Sequence, residues 1–182
     1  MLKYRRLLFL LIMGFAAYSF SNLFMKIPLA TPTACLSIIG GVALIIMAFA
    51  ETQKGNAETV ISPVWGLIVY EIMSFISITL GFSSIYLELA RQNAQNFFGL
   101  YDGMSAFYFS LVTFATVGYG DIYPFTMHAK FWVMSEIWFS IVLIPVVIAT
   151  SIAWIINQKQ LREQGDSFIS PSSGKNILRR IK

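Results

Sequence analysis

Long apolar stretches separated by short polar segments dominate the pattern along the 182-residue chain. Four of them, residues 7–25, 34–50, 60–89 and 130–156, have the length that a helix needs to cross the apolar core of a bilayer, about 17 to 25 residues or more. A fifth, residues 106–115, lies between the third and the fourth and is too short to cross. The pattern therefore predicts an all-α membrane protein with four transmembrane helices and one half-length helix.

Capping and small residues refine these predicted helices. Pro63 suits the first turn of the third helix, because the amide that proline lacks would have no partner there. Asp102 is a predicted N-cap of the half-length helix, since its carboxylate can accept hydrogen bonds from the first free amides. Gly40 and Gly41 lie inside the second helix and predict close contact with a neighbouring helix. The polar residues 157–182 predict a mostly flexible tail.

The first apolar stretch has an alternative interpretation. Lys3, Arg5 and Arg6 precede it, and a basic start followed by an apolar middle is also typical of a secretory signal peptide. The stretch is long for a signal peptide, and no clear small-residue cleavage site follows it. These features favour a first membrane helix.

Composition agrees with a membrane protein, because 57% of the residues are hydrophobic and only 12% are charged, against about 25% charged in an ordinary soluble domain. The net charge of +4 does not indicate nucleic-acid binding, since the basic residues lie at the ends of the apolar segments. With one His and one Cys, and without a nucleotide-binding loop, nucleophile triad or calcium loop, the chain is predicted to be neither an enzyme nor a cofactor protein.

Polar segments at residues 26–33, 51–59 and 91–99 are predicted loops, and the basic residues concentrate there and in the two ends of the chain. With the N-terminus inside, ten basic residues are cytoplasmic: Lys3, Arg5, Arg6, Lys54, Lys159, Arg162, Lys175, Arg179, Arg180 and Lys182. Three are then outside: Lys26, Arg91 and Lys130. This excess predicts a multi-pass protein of the plasma membrane with both termini cytoplasmic.

A glycine-rich segment, Thr-Val-Gly-Tyr-Gly-Asp at residues 116–121, separates the half-length helix from the last long helix. Irregular backbone at membrane depth is tolerated only inside protein or beside a water-filled path. Gly118 and Gly120 can take the positive φ values that turn successive carbonyls the same way. Thr116 adds a hydroxyl oxygen, and Tyr119 offers a large ring with a polar tip that suits bracing. Such a row of oxygens could replace the water around a dehydrated cation.

This segment resembles the potassium-channel signature TVGYG, and the match is complete over residues 116–120, with the usual Asp at 121. The resemblance covers roughly residues 60–156 and implies a re-entrant pore helix and a selectivity-filter loop between the third and fourth transmembrane helices. It implies filter support from Asp121 and Thr113. It also implies a potassium-binding filter, the only metal site expected, formed by Thr116, Val117, Gly118, Tyr119 and Gly120. The alternative is a glycine-rich turn in an unrelated membrane protein.

The resemblance implies passive, potassium-selective conduction through a homotetramer, because one chain has one pore loop and four are needed to close the carbonyl rings. Potassium would be the permeant ligand, and no cofactor or nucleic acid is expected. The alternatives are a pore-forming or regulatory subunit of a potassium uptake system and a less selective cation channel.

The sequence divides into three parts around this resemblance. Residues 1–59 form two N-terminal transmembrane helices of unknown role, and they carry no Arg or Lys inside their apolar runs, so voltage sensing is not expected. Residues 60–157 form the pore domain. Residues 158–182 form a basic cytoplasmic tail, which is a candidate for binding the anionic lipid of the bilayer, with a solvated tail as the alternative.

Four residues of the last helix are candidates for a cavity or gate. Glu136 is costly at membrane depth, so it is predicted either to face a water-filled cavity or to pair behind the filter with a pore-helix hydroxyl. Pro145 is predicted to kink the helix. Many channels that this chain resembles bend at a glycine instead, and Ser140 occupies that place here. Ile148 and Ile152 are predicted to form an apolar constriction, with contact to lipid as the alternative.

Overall fold

The computed structural model describes residues 2–25, 30–52 and 63–169. Within these residues the chain forms five α-helices: α1 (Leu2–Phe24), α2 (Ala30–Thr52), α3 (Pro63–Gln92), α4 (Gly103–Phe114) and α5 (Met127–Ile169). A short 3-10 helix, Ala94–Asn96, follows α3. Two short strands, β1 (Phe97–Phe98) and β2 (Tyr123–Pro124), form an antiparallel pair. In the sequence, β1 precedes α4 and β2 follows the glycine-rich segment.

Three stretches of the described residues are long and apolar enough to cross a membrane: Thr31–Ala50, Ile68–Gln92 and Met127–Asn157. They lie in α2, α3 and α5 and correspond to the second, third and fourth predicted spans. The apolar part of α1, Leu8–Phe24, is shorter, as is α4. The described chain is therefore mostly helical, with three helices that are long and apolar enough to cross a membrane, and a crossing by α1 stays a prediction.

The observed helix ends refine the predicted ones. Pro63 is the first residue of α3, as predicted. The predicted loop at residues 26–33 is too long, because α2 begins at Ala30 and its first turn accommodates Pro32, whose missing amide would have no helical partner there. Residues 26–29 and 53–62, which include most of the predicted loop at 51–59, lie outside the described residues.

The predicted flexible tail is wrong for residues 157–169, because α5 continues to Ile169. This part of the chain is rich in good helix formers, and Lys159 Nζ lies 3.9 Å from Glu163 Oε1, one turn away, where opposite charges support a helix. The lipid-binding candidate further along the tail, residues 170–182, lies outside the described residues.

Helices α2 and α3 pack antiparallel along a seam of small residues. In its middle, the Ser37 and Ser77 hydroxyls each donate to the other residue's carbonyl oxygen, at 2.9 and 2.8 Å. A methyl group on Gly41 would lie 3.0 Å from the Ser74 carbonyl oxygen, and the Ser74 hydroxyl donates to the Gly41 carbonyl. Small residues let two backbones approach closely in lipid, so the seam fixes α2 against α3.

Helix α1 attaches to α3 through buried polar groups. Asn22 is fully buried, and its amide donates to the Ser84 hydroxyl at 3.3 Å. Ser84 in turn donates to the Ser19 carbonyl at 2.9 Å. The guanidinium of Arg91 donates to the side-chain and backbone oxygens of Asn22, at 3.0 and 3.1 Å. This network ties the end of α1 to the end of α3.

The end of α1 also touches the start of α4. A methyl group on Gly103, the first residue of α4, would collide with the carbonyl group of Leu23. Only glycine gives α1 this approach, so α1 forms part of the wall against which α4 begins.

An aromatic cluster packs α4 onto α3. The rings of Tyr86, Phe97 and Phe109 contact one another with centroid separations of 5.3 to 5.7 Å, and all three side chains are buried. Phe82 extends the cluster to Phe139 of α5, 5.9 Å away. The cluster therefore fixes α4 against α3 and brings Phe139 of α5 to the same side of α3.

The chain divides into two units, Met1–Val147 and Ile148–Lys182. The packed helices and the glycine-rich segment belong to the first unit. The described part of the second unit is the C-terminal portion of α5.

Candidate functional site

Helix α4 leads directly into the glycine-rich segment and sets its position. The Asp102 carboxylate accepts from the Ser105 amide at 2.7 Å and from the Ser105 hydroxyl at 2.6 Å, so the predicted N-cap is confirmed. These hydrogen bonds hold the pKa of Asp102 below its ordinary value. At the other end, the amides of Thr116 and Val117 donate to the carbonyls of Thr113 and Val112, both at 3.0 Å. The start of the segment is thus bonded to the last turn of α4.

The backbone of the segment alternates between two halves of φ space. Thr116, Gly118 and Gly120 have φ values of 58°, 59° and 79°, while the residues between them do not have positive φ. Thr116 is the single non-glycine residue of the described chain with positive φ, and a β-branched residue rarely takes this conformation. Alternation of this kind turns successive carbonyls toward the same side. Strained backbone of this type concentrates at functional sites.

The positive φ angles, and not crowding by neighbouring atoms, explain why residues 118 and 120 are glycines. An ideal Cβ at Gly118 or at Gly120 would meet no atom within 4 Å in the single chain. The side chains between and beside them are also open, with Val117 51% and Tyr119 70% exposed. The segment therefore lies on the surface of the single chain, with its alternating backbone uncovered.

Polar contacts hold the exit of the segment. The Tyr108 hydroxyl of α4 donates to Asp121 Oδ2 at 2.9 Å. The Asn96 carbonyl accepts from the Phe125 amide at 2.8 Å, and its side-chain oxygen accepts from the Thr126 hydroxyl at 2.6 Å. These contacts fix the chain on both sides of residues 122–124.

The predicted exposed loop at residues 91–99 is therefore only partly exposed. Asn96 and Phe97 are buried, and β1 pairs with β2. The polar composition of the loop misled the prediction, because Asn96 uses its polar atoms for buried contacts to Leu89 and Thr126.

The structure places Glu136 in the second of its two predicted settings, behind α4. The side chain is 0% exposed, and Oε1 accepts from the Ser110 hydroxyl of α4 at 2.5 Å. Oε2 accepts from the Tyr86 hydroxyl of α3 at 2.6 Å. A group buried between three helices of its own chain does not line a cavity at the centre of an assembly.

The other candidates of the last helix lie on a helix that continues through Pro145. Ser140, at the place of the usual glycine hinge, is buried and donates to the Ile137 carbonyl within its own helix at 2.9 Å. Ile148 and Ile152 are 54% and 52% exposed, which suits a pore-lining face and a lipid-facing one alike.

Four site residues were not named from the sequence: Tyr86, Asn96, Tyr108 and Ser110. Each partners a residue 13 to 50 positions away along the chain. For Ser110, the sequence offered one signal, which is a polar residue inside a short apolar helix. The prediction that Glu136 pairs with a pore-helix hydroxyl gave a reason to consider it.

The fold and the site define a membrane protein in which a half-length helix carries a strained segment of backbone carbonyls, between two long apolar helices. A family model described as "Ion channel" matches residues 64–157, more than half of the chain. The chain therefore belongs to this ion channel family. The match covers α3 from its second residue, α4, the glycine-rich segment and the whole apolar part of α5, Met127–Asn157. No curated protein and no solved structure matches the chain.

Proposed function

We propose that the protein conducts potassium ions passively and selectively across the membrane, through a pore formed by four copies of this chain. The observation that carries the proposal is the alternating positive φ at Thr116, Gly118 and Gly120, within a complete Thr-Val-Gly-Tyr-Gly-Asp motif. The ion channel family supplies the class of function, and the motif and its backbone supply the ion.

The proposed mechanism needs only oxygen ligands. Carbonyls of residues 116–120, with the Thr116 hydroxyl, replace the water around a dehydrated potassium ion at a series of adjacent sites. Ions held at neighbouring sites repel one another, so each can leave as the next enters. No bond is made or broken, and the protein is a transport protein and not an enzyme.

The homotetramer is supported by what the single chain leaves open. One chain contributes one row of carbonyls, and that row is exposed. Tyr119, the predicted brace of the filter, is 70% exposed in its own chain, so the bracing partners belong to a neighbouring copy. Four chains around an axis close the carbonyls into rings and cover these surfaces.

The proposed topology has four crossings, α1, α2, α3 and α5, with α4 and residues 116–121 as a re-entrant loop. Both termini then lie in the cytoplasm, and the Asp121 end of the filter faces outward, as the basic residues favour. The C-terminal end of α4 points its partial negative charge toward the ion path, where it favours a cation. Residues 60–157 form the pore domain in the plasma membrane.

Reconstitution of the purified protein into liposomes tests the proposal. Potassium and sodium uptake are measured against matched gradients, with protein-free liposomes as the control. The proposal predicts potassium uptake far above the control and little sodium uptake. Equal uptake of both ions would indicate a less selective cation channel, and no uptake of either would indicate a subunit that does not conduct alone. Both results contradict the proposal.

A further inference from the structure

Three helices meet at one buried carboxyl group. Glu136 of α5, Ser110 of α4 and Tyr86 of α3 are each 0% exposed. Both oxygens of the carboxyl group are used, one by the Ser110 hydroxyl at 2.5 Å and the other by the Tyr86 hydroxyl at 2.6 Å.

The contacts continue to the backbone of α3. The Ser110 oxygen lies 3.1 Å from the carbonyl oxygen of Thr79, which is about two turns before Tyr86 on the same helix. Ser110 therefore lies within hydrogen-bond distance of the backbone of α3 and of the side chain of α5, and its one hydrogen serves one of these two acceptors at a time. Tyr86 is fixed independently, because its ring packs in the aromatic cluster with Phe97 and Phe109.

We propose that Glu136 is a positioning residue for the selectivity filter, because it holds α4 at a fixed depth and rotation through Ser110, with Tyr86 as its second anchor. The inference rests on the proposed function. Glu136 touches no permeating ion in this account. Its effect on the ion passes through α4.

The route from Ser110 to the filter is short. Ser110 lies one and a half turns before Thr116, on a 12-residue helix whose last turn accepts the Thr116 and Val117 amides. A shift or rotation of α4 therefore moves the first carbonyls of the filter. Selectivity depends on the geometry and number of those carbonyls, so a small movement there changes the preference between potassium and sodium.

A glutamate at position 136 suits the role of joining α4 to α3 better than an apolar residue does. A carboxyl group buried in an apolar setting is costly, and an apolar side chain of similar volume would pack between the same helices at lower cost. Only a group with two polar atoms at its end joins a hydroxyl of α4 to a hydroxyl of α3. Glutamine has such a group, whereas leucine does not.

Glutamine should preserve the contacts at Glu136. Its amide oxygen can accept from Tyr86, and its amide nitrogen can donate to the Ser110 oxygen, while Ser110 donates to the Thr79 carbonyl 3.1 Å away. Leucine fills a similar volume but leaves both hydroxyls without this partner. The pair Glu136→Gln and Glu136→Leu therefore separates the hydrogen bonds from the packing.

The experiment measures the ratio of potassium to sodium uptake in liposomes for the wild type and five variants. Glu136→Leu and Ser110→Ala should each lower the ratio about tenfold, whereas Glu136→Gln should stay within about twofold of the wild type. The double variant Glu136→Leu/Ser110→Ala should lose less than the two single losses combined, because both changes remove the contact between Ser110 and Glu136.

Ser74→Ala is the matched control, since Ser74 also donates a buried bond between helices, to the Gly41 carbonyl at 2.7 Å, but between α2 and α3. Its ratio should equal that of the wild type. A loss of ratio as large as that of Ser110→Ala would show general loosening and overturn the inference.

Two further results would overturn it. The first is a Glu136→Leu variant that still forms the tetramer and keeps the wild-type uptake ratio. If Glu136→Leu does not assemble, a wild-type uptake ratio in Ser110→Ala would overturn the inference in the same way. The other is a loss in Glu136→Gln as large as in Glu136→Leu, which would make the charge decisive and not the hydrogen bonds. A wild type that does not favour potassium overturns the proposed function first, and that failure is visible before any variant is compared.

Discussion

The β-branched residue Thr116 adopts a φ of 58°, a conformation that costs energy. The sequence alone does not predict this conformation. The two glycines that follow, with φ of 59° and 79°, continue the same alternation without that cost. Strain at one residue is maintained because the last turn of α4 accepts the Thr116 and Val117 amides. At the residue scale, the proposed ion sites depend on dihedral angles more than on side chains.

A methyl group at Gly118 tests this dependence. Gly118→Ala should reduce potassium uptake and selectivity, because an L-residue in the left-handed region costs roughly 1–2 kcal/mol. Gly14→Ala is the matched control, since Gly14 also has open space around its Cβ position but lies in α1 without positive φ. Uptake ratios in liposomes compare the two. Equal ratios for both variants would mean that φ at Gly118 is not decisive.

Tyr119 tests the brace around the filter. Tyr119→Asp should raise sodium conduction relative to potassium while the tetramer survives, because the side chain is 70% exposed in its own chain and its loss leaves the chain's core intact. Tyr101→Asp serves as the control, since Tyr101 is 84% exposed and lies outside the segment. Potassium-to-sodium flux ratios in liposomes measure the selectivity, and gel filtration in detergent measures whether the tetramer survives. Unchanged selectivity in Tyr119→Asp counts against the assignment of the filter.

At this scale, the motif and the need for positive φ at two glycines were predictable from the sequence. The partners of Glu136 were not, because Tyr86 lies 50 positions earlier and Ser110 lies 26 positions earlier in the chain. Apolar helices give no local signal of which faces meet, so a contact between three of them follows only from the packed structure.

At the scale of elements, α1 and α2 pack against each other, and α2 packs against α3. The prediction that Gly40 and Gly41 make close helix contact is confirmed, and each faces a different helix. A methyl group on Gly40 would lie 2.9 Å from Ile12 of α1, and one on Gly41 would meet Ser74 and Ile78 of α3. The first two helices, whose role the sequence leaves open, thus pack against α3 as a fixed layer.

The seam between α2 and α3 can be tested at Gly81. A methyl group there would lie 2.9 Å from the Ala34 carbonyl oxygen, so Gly81→Ala should force the helices apart and destabilise the protein by about 1–3 kcal/mol. Gly14→Ala should leave stability equal or slightly higher, because alanine favours a helix. Thermal unfolding in detergent measures both. An unchanged midpoint for Gly81→Ala would show that the seam adapts without cost.

Helix existence was predictable at this scale, and some helix ends were not. The N-cap Asp102 and the first-turn Pro63 marked two helix starts correctly, because both act locally. The end of α5 was missed, because a polar run of good helix formers extends a helix as readily as it forms a tail.

At the scale of the whole molecule, most of the apolar part of α5 is left uncovered by its own chain. Its apolar segment Met127–Asn157 is only 11% buried. Lipid and neighbouring copies can both cover such a surface, and the sequence of one chain does not distinguish them. The proposed tetramer assigns one face of α5 to the ion path and the others to neighbours and lipid.

Ile148 tests which face lines the path. In the tetramer, four copies of Ile148 and four of Ile152 would form an apolar ring that blocks ions by shedding water. Ile148→Ser should wet this ring and raise the resting open probability in single-channel recordings, without changing selectivity. Val146→Ser is the control, since Val146 is also exposed, at 41%, and lies about 160° around the helix from Ile148. An open probability equal to that of the wild type places Ile148 away from the gate.

The central claim is that backbone carbonyls of residues 116–120 select potassium. The most direct measurement is the reversal potential of single wild-type channels in a planar bilayer, with potassium on one side and an equal concentration of sodium on the other. The account predicts a large displacement from zero in the direction that potassium flow dictates. A reversal potential near zero would show that the pore does not distinguish the two ions and would contradict the account.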